Sequence, residues 1–160
     1  ESDKEFFGEV NYALNEITLQ KKDTSSMITI NAYLDGEFLN SYWADGLIIS
    51  TPTGSTAYSL SCNGPIILPR SGNIIINPIA PHNLNVRPLV VPDDSELVFK
   101  VESRTENFLV ALDSRSLTVP LHHEFKVKKA KHHLNLIRLK QYGFLNTLRT
   151  KLMWGLDKRN

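Results

Sequence analysis

From Met27 to Leu34 the apolar residues Ile28, Ile30, Ala32 and Leu34 alternate with Thr29, Asn31 and Tyr33, the period of a half-buried strand. Asp35-Gly36 then reads as a tight hairpin turn, and Phe38 to Trp43 as the returning arm. Leu47-Ile48-Ile49-Ser50 breaks the alternation with consecutive apolar residues, which predicts a strand covered on both faces. Further strands are expected over Asn73 to Ile76, Leu89 to Val91, Glu96 to Val101, Phe108 to Leu112, Ser116 to Val119, Phe125 to Val127 and Leu134 to Leu139, separated by Pro, Asp, Asn and Ser turn signals. Many short strands at close spacing predict an all-β sandwich or related pair of layered sheets.

Two helices interrupt the strands. A short one is expected after Thr53, which is a suitable N-cap. A terminal one carries Phe144, Leu145, Leu148, Leu152 and Leu156 on one stripe, the pattern of a tail docked on the body. No internal repeat or flexible linker divides the 160 residues, so they read as one domain, 1–160.

Composition narrows the function classes. The 18 Lys and Arg residues nearly balance 17 Asp and Glu, so no strong field selects nucleic acid or an anionic membrane as a partner. The single cysteine, Cys62, cannot form an intrachain disulfide, which fits a cytoplasmic setting. No apolar run approaches the roughly 20 residues that span a bilayer, and Glu-Ser-Asp-Lys-Glu at the amino end does not read as a signal peptide.

The segment richest in chemistry is Ala44 to Ser61, ADGLIISTPTGSTAYSLS, where a buried strand hands over to small, hydroxyl-bearing residues. Gly54, Ser55 and Thr56 are expected to leave first-turn amides open to an adenine edge or phosphate oxygen. A plain structural helix capped by Thr53 serves the same local chemistry equally well. His122-His123 and His132-His133 are set aside as metal ligands, since neighbours on a strand point to opposite faces and no Cys or carboxylate cluster completes a set. The basic stretch Lys126, Lys128, Lys129, Lys131, Arg138 and Lys140 fits the solvated side of a strand. Gly54-Ser55-Thr56 is no nucleophile elbow, and His82 among prolines and loop residues is weak support for a general base.

The run from Asp45-Gly46 through Ser50-Thr51-Pro52 to Gly54-Ser55-Thr56-Ala57-Tyr58 resembles the NAD kinase family. So do Asn15-Glu16, placed at the end of an early strand, and Pro78-Ile79-Ala80-Pro81-His82 followed by Val86-Arg87-Pro88-Leu89-Val90. By motif the likeness runs from about Ala13 to Val91 and continues more loosely to the end. It implies the β-rich carboxyl-terminal part of an enzyme that phosphorylates the adenosine ribose 2'-hydroxyl of NAD with ATP and a divalent metal, Mg2+, to give NADP. It further implies that Asn15, Thr53, Thr56 and Ala57 surround the adenine, that Glu16 takes the adenosine ribose hydroxyls, that Tyr58 lines the dinucleotide and that Ser61 lies near its nicotinamide end. Asp45 and Ala80 match residues that reach NAD bound mainly to a neighbouring subunit, implying a homodimer or homotetramer. Taken without the family, Glu16 is a strand-end charge, Tyr58 a packing residue, Asp45-Gly46 a turn and Ala80-Pro81 a loop.

The chain departs from the family in one respect that matters for chemistry. The glycine-glycine-aspartate-glycine loop that carries the family's catalytic aspartate occurs nowhere between Glu1 and Asn160. It belongs to an α/β domain expected before Glu1, so this chain alone is expected to bind but not to phosphorylate, and no residue here is assigned as catalytic. A smaller departure is Ser114, where the family has glycine after Asp113, a change expected to alter the turn without disturbing the pocket. Two other readings remain: a nucleotide-binding module without catalysis, and a lipid kinase of the diacylglycerol kinase type, which shares the two-domain plan but not the threonine-alanine-tyrosine signature.

Overall fold

A computed structural model describes residues 7–22, 26–135, 137 and 143–153. The alternating segments form two antiparallel sheets. The strands are β1 (Glu16–Lys21), β2 (Ile28–Leu34), β3 (Glu37–Ala44), β4 (Gly46–Ser50), β5 (Asn73–Ile79), β6 (Leu89–Pro92), β7 (Leu97–Glu102), β8 (Asn107–Leu112), β9 (Arg115–Pro120) and β10 (Glu124–Val127). A six-stranded sheet runs β6-β5-β4-β1-β8-β9, and a four-stranded sheet runs β10-β7-β2-β3. The layered all-β architecture expected from the strand spacing is therefore present.

The sandwich closes on the residues that alternation selected. Leu19, Leu47, Ile49, Ile76, Phe108 and Val110 from the larger sheet meet Ile30, Ala32, Leu97 and Phe99 from the smaller one in a single buried cluster. Burying a side chain of this size contributes roughly 1.5–3 kcal/mol, and that gain offsets the backbone ordering that long sheets require. The β2–β3 hairpin turns on Asp35 and Gly36, both at positive φ (51° and 85°), the backbone that a two-residue turn between twisted strands demands.

Strand β4 is buried at all five positions, as its unbroken apolar run requires. Leu47 and Ile49 face the sandwich core, whereas Ile48 is buried outside that cluster, on the opposite face of the sheet. That outer face is covered by a single 3-10 turn (Gly54–Thr56) and a short helix α1 (Tyr58–Ser61). Residues paired in register share a face. Thr18 with Ile48, Glu16 with Ser50, and Ile48 with Asn77 therefore lie together under the covering segment.

Four expectations need correction. Asn15-Glu16 does not end a strand: Glu16 opens β1, because the amides just before it are occupied by a side chain from across the sheet. β5 runs on to Ile79 through Asn77 and Pro78, three residues past the expected end. Proline is tolerated there because β6 pairs with β5 only as far as Ile76, so the missing N–H interrupts no ladder on that side. The strand expected over Leu134 to Leu139 lies largely outside the described residues, and the described Leu134, Asn135 and Ile137 are not strand. His122 and His123 sit in the turn between β9 and β10 with rings 4.1 Å apart, so strand alternation does not separate them. Among the described residues, no group of three or more metal-ligating side chains forms.

The terminal helix α2 (Phe144–Lys151) buries Leu148 and leaves Leu145 more than half exposed, so the apolar stripe is covered only in part. Leu156 lies outside the described residues. No helix among the described residues is long and apolar enough to cross a membrane.

Candidate functional site

The antiparallel register of β1 and β4 decides where the motif residues meet. Glu16 pairs with Ser50 and Gln20 with Gly46. The entrance to β1 thus lies beside the exit of β4, and the start of β4 lies beside the end of β1.

At the first of these ends, polar contacts join Leu14-Asn15 to the Ser50–Gly54 segment. The Thr51 amide donates to the Asn15 carbonyl at 2.9 Å, and the Thr51 hydroxyl donates to the Leu14 carbonyl at 2.7 Å. The Ser50 hydroxyl also reaches the Asn15 carbonyl at 3.3 Å. Gly54 is buried against this junction: a Cβ built there comes closer than 3.0 Å to the carbonyl carbon and oxygen of Asn15 and to Ser50 Oγ. Asn15 and Glu16 thereby lie beside the start of the Gly54–Thr56 turn, which Thr53 precedes and Ala57 follows.

The helix start differs from the expectation. Thr53 is itself in helical backbone (φ −64°, ψ −43°) and its side chain makes no cap. Thr51 takes that part, its hydroxyl oxygen accepting from the Gly54 amide at 3.1 Å. The Ser55 amide bonds the Pro52 carbonyl, so two of the amides expected to be open are already used. Ser55 is fully buried, and its hydroxyl donates to Pro52 O at 2.6 Å and accepts from the Ile67 amide at 3.0 Å.

The second end holds Asp45 and Ala80. Asp45 Oδ1 lies 2.6 Å from Lys21 Nζ, and the Asp45 amide donates to the Ile79 carbonyl at 3.0 Å. Ala80 follows at φ 44°, a left-handed conformation in an exposed residue. Beyond it, His82 lies against Trp43 with ring centroids 4.2 Å apart, fastening the loop after β5 to the edge strand of the other sheet. At roughly 3.3 Å per residue, the four-residue step from Glu16 to Gln20 separates the two ends by about 13 Å.

Tyr58 reaches from the covering helix toward that second end, its hydroxyl accepting a bond from Gln20 Nε2 at 3.1 Å. Burial is the main cause that raises its phenol above the usual range, with Cys62 and Asp45 adding to the effect. Ser61, on the same short helix, is exposed. The helix is held from beneath by Asn77, whose side-chain amide donates to the Ser59 carbonyl at 2.9 Å and to the Cys62 carbonyl at 3.3 Å.

Glu16 is the most informative side chain of the set. It is 9% exposed, and among the described residues nothing donates to its buried Oε2. Burial first, and the Asp113 carboxylate second, push its carboxyl above the usual range. The folded state then holds a proton at pH values where the unfolded chain has released it. Stability falls as pH rises through that interval, and the deficit persists above it. Glu16→Gln is therefore expected to melt higher than the parent at about pH 7.5, with the gain vanishing below about pH 4. Thermal melts at both pH values check this; a gain of equal size at both would remove the electrostatic cause.

Sequence reasoning missed three residues that shape the site: Asp113, Asn77 and Gln20. Asn77 carried a signal, as the polar residue inside an otherwise apolar strand. Asp113 and Gln20 carried none that local pattern could separate from an ordinary turn or strand face.

Residues 14–139 match the family model described as the ATP-NAD kinase C-terminal domain. The chain belongs to that family. It is 57% identical over 159 residues to an NAD kinase of Cytophaga hutchinsonii, covering 99% of this chain and 54% of that protein. With an NAD kinase of Flavobacterium psychrophilum it shares 59% identity over 152 residues, covering 95% and 52% of the two chains. Among solved structures, yeast NADH kinase complexed with NADH superposes with a TM-score of 0.79 at 27% identity, over 91% of this chain and 45% of that one. An NAD kinase from Archaeoglobus fulgidus in complex with ATP superposes with a TM-score of 0.67 at 29% identity, over 74% and 46%. This ATP-NAD kinase C-terminal domain thus spans about half the length of the curated relatives it matches. The match extends well past Val91, where the recognisable motifs ended, and takes in the β7–β10 strands.

Proposed function

We propose that this domain is the NAD-holding part of an NAD kinase that transfers the terminal phosphate of ATP to the adenosine ribose 2'-hydroxyl of NAD. The observation that carries the reading is the seating of Thr51 and Gly54 against Asn15 at the start of β1, with Tyr58 reaching Gln20 further along the same strand, in a chain of this family. Asn15 supplies an amide that can both donate and accept at an adenine edge. Glu16 supplies a carboxylate oxygen without a partner, the acceptor that a ribose diol with two donors would satisfy. Thr53, Thr56 and Ala57 flank the adenine, Tyr58 lines the dinucleotide and Ser61 lies toward its nicotinamide. Asp45 and Ala80, about 13 Å away along β1, are assigned by the family likeness to a dinucleotide held mainly by a neighbouring copy.

In this reading the domain positions the acceptor hydroxyl, the part of phosphoryl transfer that depends on orientation. The activating aspartate and the phosphate-binding glycines come from sequence that Glu1–Asn160 does not contain. ATP with Mg2+ as donor complex, a cytoplasmic setting and a homodimer or homotetramer complete the proposal.

The test is calorimetric titration of this chain with NAD, with its oligomeric state recorded alongside. NAD is expected to bind, and Asn15→Ala and Tyr58→Ala to weaken it by about 10-fold each, the loss of one good hydrogen bond or ring contact. An assembled oligomer that takes up no NAD, or variants that bind it as the parent does, would sink the reading. Binding of NAD with no NADP formed by the complete protein, given NAD and magnesium ATP, would leave a non-catalytic module. Phosphorylation of a lipid in place of NAD would favour the lipid kinase alternative.

A further inference from the structure

We propose that Asp113 is a positioning residue for the adenosine end of the dinucleotide, fixing the backbone from which Asn15 and Glu16 project. The inference rests on the assignment of those two residues made above, and deepens it.

Asp113 occupies the two-residue turn between β8 and β9, where Leu112 pairs with Arg115. Its carboxylate accepts three consecutive backbone amides: Leu14 at 2.8 Å through Oδ2, Asn15 at 2.8 Å and Glu16 at 3.2 Å through Oδ1. Its own amide donates back to the Glu16 carbonyl at 3.0 Å. A carboxylate that accepts several amides makes charge-assisted bonds, stronger than neutral ones.

The turn itself would prefer a different residue. Asp113 stands at φ 52°, a conformation that glycine adopts without penalty and a residue with a Cβ does not. Aspartate tolerates it, and here its side chain is used across the sheet rather than in the turn. Arg115 extends the same grip, its guanidinium donating to the carbonyls of Val10 and Tyr12, each at 2.6 Å.

Asn15 is thus bonded from both sides. Its amide goes to Asp113 in the β8–β9 turn, and its carbonyl receives Thr51 from the end of β4. Neither Asp113 nor Thr51 has to touch a ligand for the Asn15 side chain to be set in direction. A side chain whose backbone is fixed loses less freedom on binding.

Calorimetric NAD titrations of the parent, Asp113→Ala, Asn15→Ala and the double variant test this as a cycle. Asp113→Ala is expected to weaken NAD by about 10-fold in the parent and by only about 3-fold once Asn15 is already alanine, when its hold on Glu16 is all that remains to be lost. Asp113→Asn keeps a left-handed-tolerant residue and one carbonyl oxygen for the Asn15 and Glu16 amides, so it is expected to lose only about 3-fold. If the alanine variant does not fold, the asparagine variant carries the same cycle. Parent-like NAD affinity in the Asp113 variants, or losses that add in full to that of Asn15→Ala, would overturn the proposal while leaving the functional reading intact. A parent that binds no NAD overturns both.

Discussion

Gly54→Ala is expected to lower the melting temperature by about 10 °C and to abolish measurable NAD binding. The added methyl meets the Asn15 carbonyl and Ser50 Oγ closer than 3.0 Å, and the first of these is backbone that is bonded on both sides. Overpacking against a wall that cannot rotate away sits at the upper end of the usual cost, about 3 kcal/mol, and a domain of this size loses roughly 2–4 °C per kcal/mol. Either the turn lifts off the Asn15 carbonyl or Asn15 is displaced, and both spoil the proposed adenine contact. Thermal melting followed by an NAD titration checks the two effects together. Unchanged melting and affinity would mean that Gly54 is not seated where the structure puts it.

Asn77→Ala is expected to cost about 2 kcal/mol, because the buried Ser59 carbonyl and the part-buried Cys62 carbonyl each lose a donor and the fully buried side chain leaves a void. Asn77→Asp has the same shape but turns acceptor against acceptor, so it is expected to destabilise at least as much with no cavity formed. The pair separates hydrogen bonding from packing. Urea denaturation midpoints read the difference. An aspartate tolerated within about 0.5 kcal/mol would show that the amide-to-carbonyl bonds contribute little to stability. Since Asn77 fixes the helix that carries Tyr58, a weaker NAD titration is expected to accompany the lost stability.

The alternation from Ile28 to Leu34 and the unbroken run Leu47–Ile49 made the two sheets legible, because burial on one face or two leaves a direct mark on residue type. The motif residues were legible as a family resemblance, and the fold distributes them over the two ends of β1, Asn15 and Glu16 at one and Asp45 and Ala80 at the other. What local pattern could not supply was pairing across distance. The bond from Asp113 to the Asn15 amide joins residues 98 apart in the chain, and nothing in Leu112-Asp113-Ser114-Arg115 announces a partner. The substitution at Ser114 drew attention to the turn, but the residue that matters there is its neighbour. Thr53 misled for a related reason. Hydroxyl residues at positions 51, 53, 55 and 56 are interchangeable as caps on paper, and the register of β4 against β1 selects Thr51.

The placement of β1 between β4 and β8 also bears on how the molecule comes to exist. Hairpins β2–β3 and β8–β9 close over two-residue turns and can form from local chain alone. β1 has no such neighbour: its ladders join Ile17 to Ile49 on one side and to Leu112 on the other. Contacts of such separation require most of the chain to be collapsed before they reward the loop closure, which is slow in β proteins. The strand whose first residues carry the proposed adenosine contacts is thus among the last to acquire both its partners, and the binding surface is a product of completed folding rather than of any segment that could be excised.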